Sequence, residues 1–280
     1  MPPAASSRIT LAAAATLLGI YLLQGVWAAA LKSPTFDETG DIAAGLSYVQ
    51  NLDVRANLQH PPLMKELAGI ALYLGGVRLV PSPAVHRMLS GGGGEREAGS
   101  ELLAANGVAR TLLLARIPYL LCSALLGLLI FLWGRELAGD AAAIFALALY
   151  TLDPNAMAHG YLVTMDQGLA AFATFFFYTL WRYIRRPDTR RLAVCGVAMG
   201  LMLAAKFSAV FLLPAAALLG WFYTPRGTRV RTFLIAGALA AVVVQAVYLS
   251  PGGLYLYRAG IGLVNADHNP DYKVYLAGQL

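Results

Sequence analysis

Charged residues are scarce in this chain. They make up 13% of its 280 residues, whereas soluble domains average about 25%. Cysteine is scarcer still, because only Cys122 and Cys195 occur, each inside an apolar run and without a metal-ligand or redox spacing. The low charge content excludes an ordinary soluble domain. The cysteine pattern excludes a disulfide framework or a zinc site, and we interpret both residues as structural.

Apolar residues dominate instead. They make up 58% of the chain, and the mean hydropathy is +0.61, which is typical of an integral membrane protein. The net charge of +6 is carried by arginines that cluster in short segments between apolar runs. Such clusters follow the positive-inside rule of membrane proteins. We therefore predict a lipid bilayer as the surroundings and no nucleic acid as a partner.

The apolar runs predict an all-α integral membrane fold, a polytopic helical bundle of about seven transmembrane helices in one domain over residues 1–280. The run 192–223 is too long for one crossing of about 20 residues, so Lys206 near its middle is predicted to divide it into a hairpin. The predicted spans are residues 9–31, 112–133, 141–152, 168–183, 192–205, 207–223 and 232–249.

The densest basic cluster gives the predicted orientation. Its members are Arg182, Arg185, Arg186, Arg190 and Arg191. The alternation of spans puts this cluster on the inner side, in agreement with the positive-inside rule. The N-terminus is then cytoplasmic, and two loops lie outside: residues 32–111 and the segment 250–280.

The first outer loop is predicted to contain helices of its own. Residues 36–50 are apolar mainly on one side, and residues 63–80 carry an apolar stripe at 63, 67, 70, 74 and 77 that is typical of a helix lying along the membrane interface. An ordinary span is the alternative for the second segment. Prolines and four successive glycines predict a mobile loop over 81–94, and 95–106 is predicted to be a short surface helix.

Two adjacent carboxylates begin the helix 36–50. Asp37 falls in its first turn, where the helix dipole and free N–H groups favour the ionised form, ready to accept a proton or hold a cation. Thr35 and Glu38 have the spacing of a capping box, which would explain Glu38 without any chemistry. Asp166 repeats the position of Asp37 at the start of another helix, either as a functional acid or as a simple helix-start residue.

Lys206 is unusual in an apolar run. A lysine at the centre of a span costs about 2.5–3.5 kcal/mol on insertion scales. It either marks an outer turn and reaches water, or binds an anionic group such as a phosphate.

Four fragments taken in order resemble the GT-C membrane glycosyltransferases, nearest to bacterial relatives of protein O-mannosyltransferases. They are Asp37-Glu38, His60-Pro61-Pro62-Leu63-Met64-Lys65, Leu162-Val163-Thr164-Met165-Asp166 and Ala205-Lys206-Phe207. The resemblance implies transfer of a hexose or pentose from a polyprenyl-phosphate donor to a protein, lipid or glycan acceptor. It further implies a bacterial plasma membrane location, with the active site on the outer face.

The same resemblance implies roles for single residues. Asp37 becomes the base that deprotonates the acceptor hydroxyl, while Glu38 and Asp166 support the substrate or a cation. His60 and Lys65 line the same pocket, and Lys206 binds the donor phosphate. No cofactor is required, and a divalent cation stays open, because Gln59 stands where many relatives have an acid.

The remaining expectations concern the end of the chain and the alternatives. His268 and Tyr272 resemble the start of a second family loop, and relatives have further helices, so the chain is expected to be truncated at Leu280. A flippase or transporter for a polyprenyl lipid is the alternative from another functional class, and it predicts charges near mid-span. An inactive fragment is the third alternative.

Overall fold

The computed structural model describes residues 4–267, and within that range the regular structure is helical, with no strand. Thirteen α-helices are numbered here in chain order. They are α1 (Ala4–Leu31), α2 (Phe36–Asn51), α3 (Leu63–Leu74), α4 (Pro83–Leu89), α5 (Glu95–Asn106), α6 (Val108–Ala138), α7 (Asp140–Leu152), α8 (Pro154–Gly160), α9 (Met165–Arg185), α10 (Thr189–Ala205), α11 (Leu213–Tyr223), α12 (Arg229–Val247) and α13 (Gly253–Asp267).

Fewer helices than the seven predicted spans are long and apolar enough to cross a bilayer on their own. Three segments of the described chain are long and apolar enough to cross a bilayer: Arg8–Leu31, Val108–Ala138 and Arg226–Val247. The pair α7 and α8 adds a fourth if its 64° bend lies within one span. The all-α membrane fold is confirmed, but the count of seven is not. One reason is that α10 has 17 residues and α11 has 11, fewer than the roughly 20 that a straight crossing needs.

The core is built from two groups of long helices. Helix α6 packs against α1, α7 and α9, and α10 packs against α9 and α12. Helices α2 and α3, which lie between α1 and α6 in the chain, pack on one another, and α3 also packs on α6. This arrangement holds the loop helices against the spans instead of leaving them free in solution.

The crossing of α2 and α3 is unusually close. A Cβ atom on Gly45 would lie 2.1 Å from the carbonyl oxygen of Lys65, and one on Gly69 would lie 2.0 Å from the carbonyl oxygen of Gly45. Any larger residue at either position would force the two backbones apart. The relative position of the two helices is therefore determined by backbone contact. This position in turn determines where the Lys65 side chain lies.

Most of the predicted loop helices are present, with one addition. Helices α2 and α5 match the predicted segments, but α4 (Pro83–Leu89) lies inside the segment that was predicted to be a mobile loop. The Ser82 side chain accepts a hydrogen bond from the Val85 amide and caps α4. That prediction is wrong because a serine followed by a proline is a helix start as well as a loop signal.

Helix α3 lies beside the spans and does not cross the membrane. Its 12 residues extend about 18 Å at about 1.5 Å per residue, well short of a hydrocarbon core of about 30 Å, so the alternative of an ordinary span is wrong. Its predicted apolar stripe is partly open, since Ile70 and Leu74 are exposed. The opposite face, with Met64, Ala68 and Leu72, is buried.

The long apolar run breaks where predicted. Helix α10 ends at Ala205, Lys206 is extended, and a 3₁₀ helix Phe207–Leu212 follows before α11. Past α12, the segment predicted to be an outer loop contains α13. His268, Tyr272 and Leu280 lie outside the described residues.

Candidate active site

A polar cleft of about 500 Å³ lies where the starts of α2, α5 and α9 meet the segment before α3. Its lining residues are Asp37, Gly40, Asp41, Asn57, Gln59, His60, Gly94, Glu95, Arg96, Glu97, Thr164, Met165, Asp166 and Lys206. Four of the six residues that the sequence proposed for the site line this cleft, although up to 169 positions separate them along the chain (206 − 37). The other two, Glu38 and Lys65, lie behind its wall.

Asp37 lies at the rim of the cleft. It is in the first turn of α2, and its side chain is 69% exposed. The nearest cation is Arg96, whose Nη2 lies 4.0 Å from Asp37 Oδ1 and whose guanidinium stacks on the Phe36 ring at 3.6 Å. The carboxylate is therefore accessible to a substrate hydroxyl and loosely held.

Asp166 and Lys206 form an ion pair inside the same cleft. The Lys206 ammonium donates to Asp166 Oδ1 at 2.5 Å. Asp166 begins α9, and Lys206 occupies the break after α10, so the two helices position one charge each. The Asp166 side chain is 70% exposed, which leaves the pair open to a ligand.

Glu38 is fully buried and does not line the cleft. The capping box is present, since the Glu38 carboxylate accepts from the Thr35 amide at 2.8 Å. The same carboxylate accepts from Arg116 Nη2 at 2.7 Å and Nε at 2.8 Å, and from the Val163 amide at 3.1 Å. Burial alone would raise the pKa of Glu38, but the bonds from Arg116 and Thr35 lower it overall. Glu38 is thus a saturated, ionised structural group.

Arg116 extends this contact to the end of α1. It is fully buried in α6, and its guanidinium donates at 2.8 or 2.9 Å to the carbonyl oxygens of Ala29, Lys32 and Ser33. We call the buried pair the Glu38–Arg116 strut. It joins α1, α2, α6 and the segment before α9, so it holds in place the two helix starts that carry Asp37 and Asp166. The sequence identified the capping box but not this partner.

His60 lines the cleft as a neutral imidazole. Its ring lies 6.5 Å from that of Phe207, and its Nδ1 is buried without a partner among the described residues. Burial, with added repulsion from the charges of Lys65 and Lys206, lowers the pKa of His60 to about 4. At neutral pH it can accept or donate a hydrogen bond but carries no charge.

Lys65 lies behind the cleft wall instead of lining it. The side chain is fully buried, and its Nζ lies 2.9 Å from Asn57 Oδ1 and 3.4 Å from Asp41 Oδ1. Asp41 and Asn57 do line the cleft, and sequence reasoning missed both. The signal for Asp41 was its position four residues after Asp37, which puts it on the same face of α2.

A metal-binding cluster is not formed by the described residues. No group of three or more histidine, cysteine, aspartate or glutamate side chains comes together in residues 4–267 to hold an ion. Gln59, which lines the cleft, supplies an amide there and not a carboxylate.

Comparison with known families bears on the second half of this arrangement. A family model described as dolichyl-phosphate-mannose-protein mannosyltransferase matches residues 108–251, just over half of the chain. The chain belongs to this mannosyltransferase family. It is accordingly a multi-pass membrane glycosyltransferase of a type that uses a lipid-linked sugar donor. Neither the curated proteins nor the solved structures give a match.

The mannosyltransferase match covers only part of the cleft. Arg116, Asp166 and Lys206 fall within residues 108–251, whereas Asp37 and His60 precede them. The family assignment thus includes the strut arginine and the ion pair of the cleft. The roles of the residues on α2 and before α3 depend on the geometry.

The chain also carries an apolar groove of about 420 Å³ between α9, α10, α11, α12 and α13. Its wall includes Phe176, Met199, Ala236, Ala240 and Tyr257. The Tyr257 ring contacts that of Phe207 edge-on at 5.2 Å, and Phe207 in turn contacts His60 of the cleft. The groove and the cleft therefore adjoin each other through two aromatic rings.

Proposed function

We propose that this protein transfers a sugar from a polyprenyl-phosphate donor to the hydroxyl group of an acceptor at the outer face of the membrane. One observation carries the proposal: in a chain of the mannosyltransferase family, an accessible carboxylate, Asp37, shares one cleft with the Asp166–Lys206 pair. The reaction needs these two functions, a proton acceptor and a cation for the phosphate, within one substrate length.

In the proposed reaction Asp37 accepts the proton of the acceptor hydroxyl. The acceptor oxygen then forms a bond to the anomeric carbon of the sugar while the bond from that carbon to the phosphate oxygen breaks. The electron pair goes to the phosphate, whose growing charge is stabilised by the Lys206 ammonium. Asp166 holds Lys206 at 2.5 Å and keeps it directed into the cleft.

The donor lipid chain is assigned to the apolar groove. A polyprenyl chain is hydrocarbon, and burial of its surface stabilises binding by about 25 cal/mol for each Å² removed from water. The groove lies between apolar helices, and its Tyr257 end contacts Phe207, next to Lys206. A lipid lying in it would bring its phosphate to the cleft.

Glu38 and Lys65 are assigned positioning roles under this proposal. Neither side chain is exposed to the cleft, and each is held by buried partners. Glu38 orients the start of α2, which carries Asp37, while Lys65 holds Asp41 and Asn57. His60, neutral and lining the cleft, is assigned to the substrate.

The proposed location of the protein is the bacterial plasma membrane, with the N-terminus in the cytoplasm. Clusters such as Arg185 and Arg186 before α10 and Arg229 and Arg231 at the start of α12 support an inner location for these helix ends. The cleft lies at the opposite ends of α9 and α10 from the first of these clusters. This placement supports substrates on the extracytoplasmic side. The acceptor is a protein, a lipid or a glycan that presents a hydroxyl.

The test is sugar transfer by the purified full chain in nanodiscs, with mannosyl phosphoryl polyprenol as donor and mixed hydroxyl acceptors. Asp37→Asn keeps the size of the side chain but removes the proton acceptor, so the rate should fall by about 10²–10⁴. Asp53→Asn is the matched control, because Asp53 is not among the residues that line the cleft and pairs only with Arg55 among the described residues. Turnover of Asp37→Asn within a few-fold of the parent would remove Asp37 as the base. A parent chain that is inactive and binds no donor would refute the proposed function.

A further inference from the structure

Asp41 is a largely buried carboxylate of the cleft wall with few partners. Glu38 accepts from five donor groups, and Asp166 has a lysine at 2.5 Å. The Asp41 side chain is only 15% exposed, yet its one cationic contact among the described residues is Lys65 at 3.4 Å. Burial raises the pKa of this carboxyl, and the charge of Lys65 opposes the rise. A largely buried carboxylate that lines a cleft and has spare acceptor capacity can accept hydrogen bonds from a ligand.

Asn57 lies near Asp41, since both side chains contact Lys65, and its side-chain NH₂ lacks an acceptor in the described part of the chain. Its Oδ1 accepts from Lys65 Nζ at 2.9 Å and from the Gln59 amide at 3.0 Å. Its side-chain NH₂ donates to no partner among the described residues, and Asn57 lines the cleft. The cleft wall thus offers a hydrogen-bond acceptor, the Asp41 carboxylate, and a hydrogen-bond donor, the Asn57 NH₂. Both residues contact Lys65.

The geometry of this pair is rigid. Lys65 holds both side chains, and its own helix is fixed against α2 by the backbone contacts at Gly45 and Gly69. A site that is preorganised in this way loses little conformational freedom when a ligand binds. Such a site discriminates between ligands by where their polar groups fall.

The charges narrow the chemistry of the ligand. The carboxylate of Asp41 repels a phosphate, and the ammonium of Lys65 beside it repels a metal ion. A neutral hydroxyl is compatible with both, because it donates to the carboxylate and accepts from the amide. Neighbouring hydroxyls of a sugar ring would satisfy both groups at once.

We propose that Asp41 and Asn57 form the subsite that recognises hydroxyl groups of the sugar being transferred, and so contribute to sugar specificity. The proposal rests on the proposed function, since it takes the donor sugar as the occupant. Lys65 is then a positioning residue that keeps both groups directed at the sugar. The phosphate and the lipid chain bind elsewhere, near Lys206 and in the apolar groove.

The test compares two lipids on the full chain in nanodiscs: polyprenyl phosphate without a sugar, and the same lipid carrying mannose, glucose or arabinose. The measured quantity is the ratio of their dissociation constants, which isolates the contribution of the sugar. For the preferred sugar, Asp41→Asn should reduce this ratio by about 10- to 100-fold, because a hydrogen bond to a charged acceptor is lost. Binding of the lipid without a sugar should not change.

A second variant guards against a folding defect. Asn57→Asp keeps an oxygen for Lys65 but removes the NH₂ donor, so it should reduce the sugar contribution while retaining the buried pair. Asp53→Asn is the control and should leave both dissociation constants unchanged. If both Asp41→Asn and Asn57→Asp keep the parent's ratio, or if the parent gains nothing from any of the sugars, this inference is overturned alone. A parent that binds neither kind of lipid overturns the proposed function together with it.

Discussion

Replacement of Glu38 by glutamine separates its two structural roles. Glutamine retains an oxygen for the Thr35 amide, so a residue that only completes the capping box should tolerate the change. The strut predicts otherwise. With Oε2 retained for Thr35, the new NH₂ would stand at the Oε1 position, where it faces the Arg116 Nε and Val163 amide donors that now bond this oxygen at 2.8 and 3.1 Å. The buried guanidinium would also lose its counter-charge.

The magnitude follows from burial, since both side chains are 0% exposed. Breaking one partner of a buried ion pair costs about 3–5 kcal/mol. One kcal/mol corresponds to about 2–4 °C in a chain of this size class, so the thermal midpoint should fall by roughly 6–20 °C. Removing Arg116 in addition to Glu38 should not fully restore stability. The reason is that Arg116 also donates to three carbonyl oxygens, which would then lose their partner.

The assay is thermal unfolding of the full chain in nanodiscs, followed by intrinsic tryptophan fluorescence. Asp53→Asn, which breaks an exposed ion pair, is the matched control and should change the midpoint little. Because the pKa of Glu38 lies below its usual 4.5 in the folded chain, the strut stabilises the protein above that pH and loses its effect as the pH falls through the folded-state value. The parent and Glu38→Gln curves should therefore converge in acid. Equal midpoints for Glu38→Gln and Asp53→Asn at pH 7 would refute the strut as a stabilising element.

Three further predictions concern other parts of the chain. Lys206→Ala should weaken binding of polyprenyl phosphate, and Lys206→Arg should retain part of the affinity; equal affinities in a titration would leave Lys206 as a turn residue. Glu66 is buried, and its pKa is raised to about 8, so folding stability should decline as the pH rises from about 4.5 to 8; Glu66→Gln should flatten this decline in thermal scans, and an unchanged slope would contradict the assignment. In a cysteine-free background, Ser90→Cys should react with a membrane-impermeant reagent in intact cells and Arg229→Cys should not; the reverse pattern would invert the topology.

The sequence by itself determined the features that depend on neighbours in the chain. The apolar runs of α1, α6 and α12 predict membrane helices because length and composition alone decide whether a segment can cross. The Thr35 and Glu38 spacing predicts the capping box, since both groups belong to one helix turn. Lys206 marks the break after α10 for the same local reason.

Only the tertiary structure decided which distant groups meet. Glu38 and Arg116 are 78 residues apart, and nothing in the spacing of either helix identifies the other as its partner. Lys65 was expected in the pocket, but the contact between α2 and α3 directs its side chain behind the wall, where it holds Asp41 and Asn57. The number of spans also cannot be predicted from the local sequence pattern, because whether a short or bent helix enters or crosses a membrane depends on the helices that cover it. Packing, and not composition, therefore selected which of the acids of α2 lines the cleft and which supports the fold.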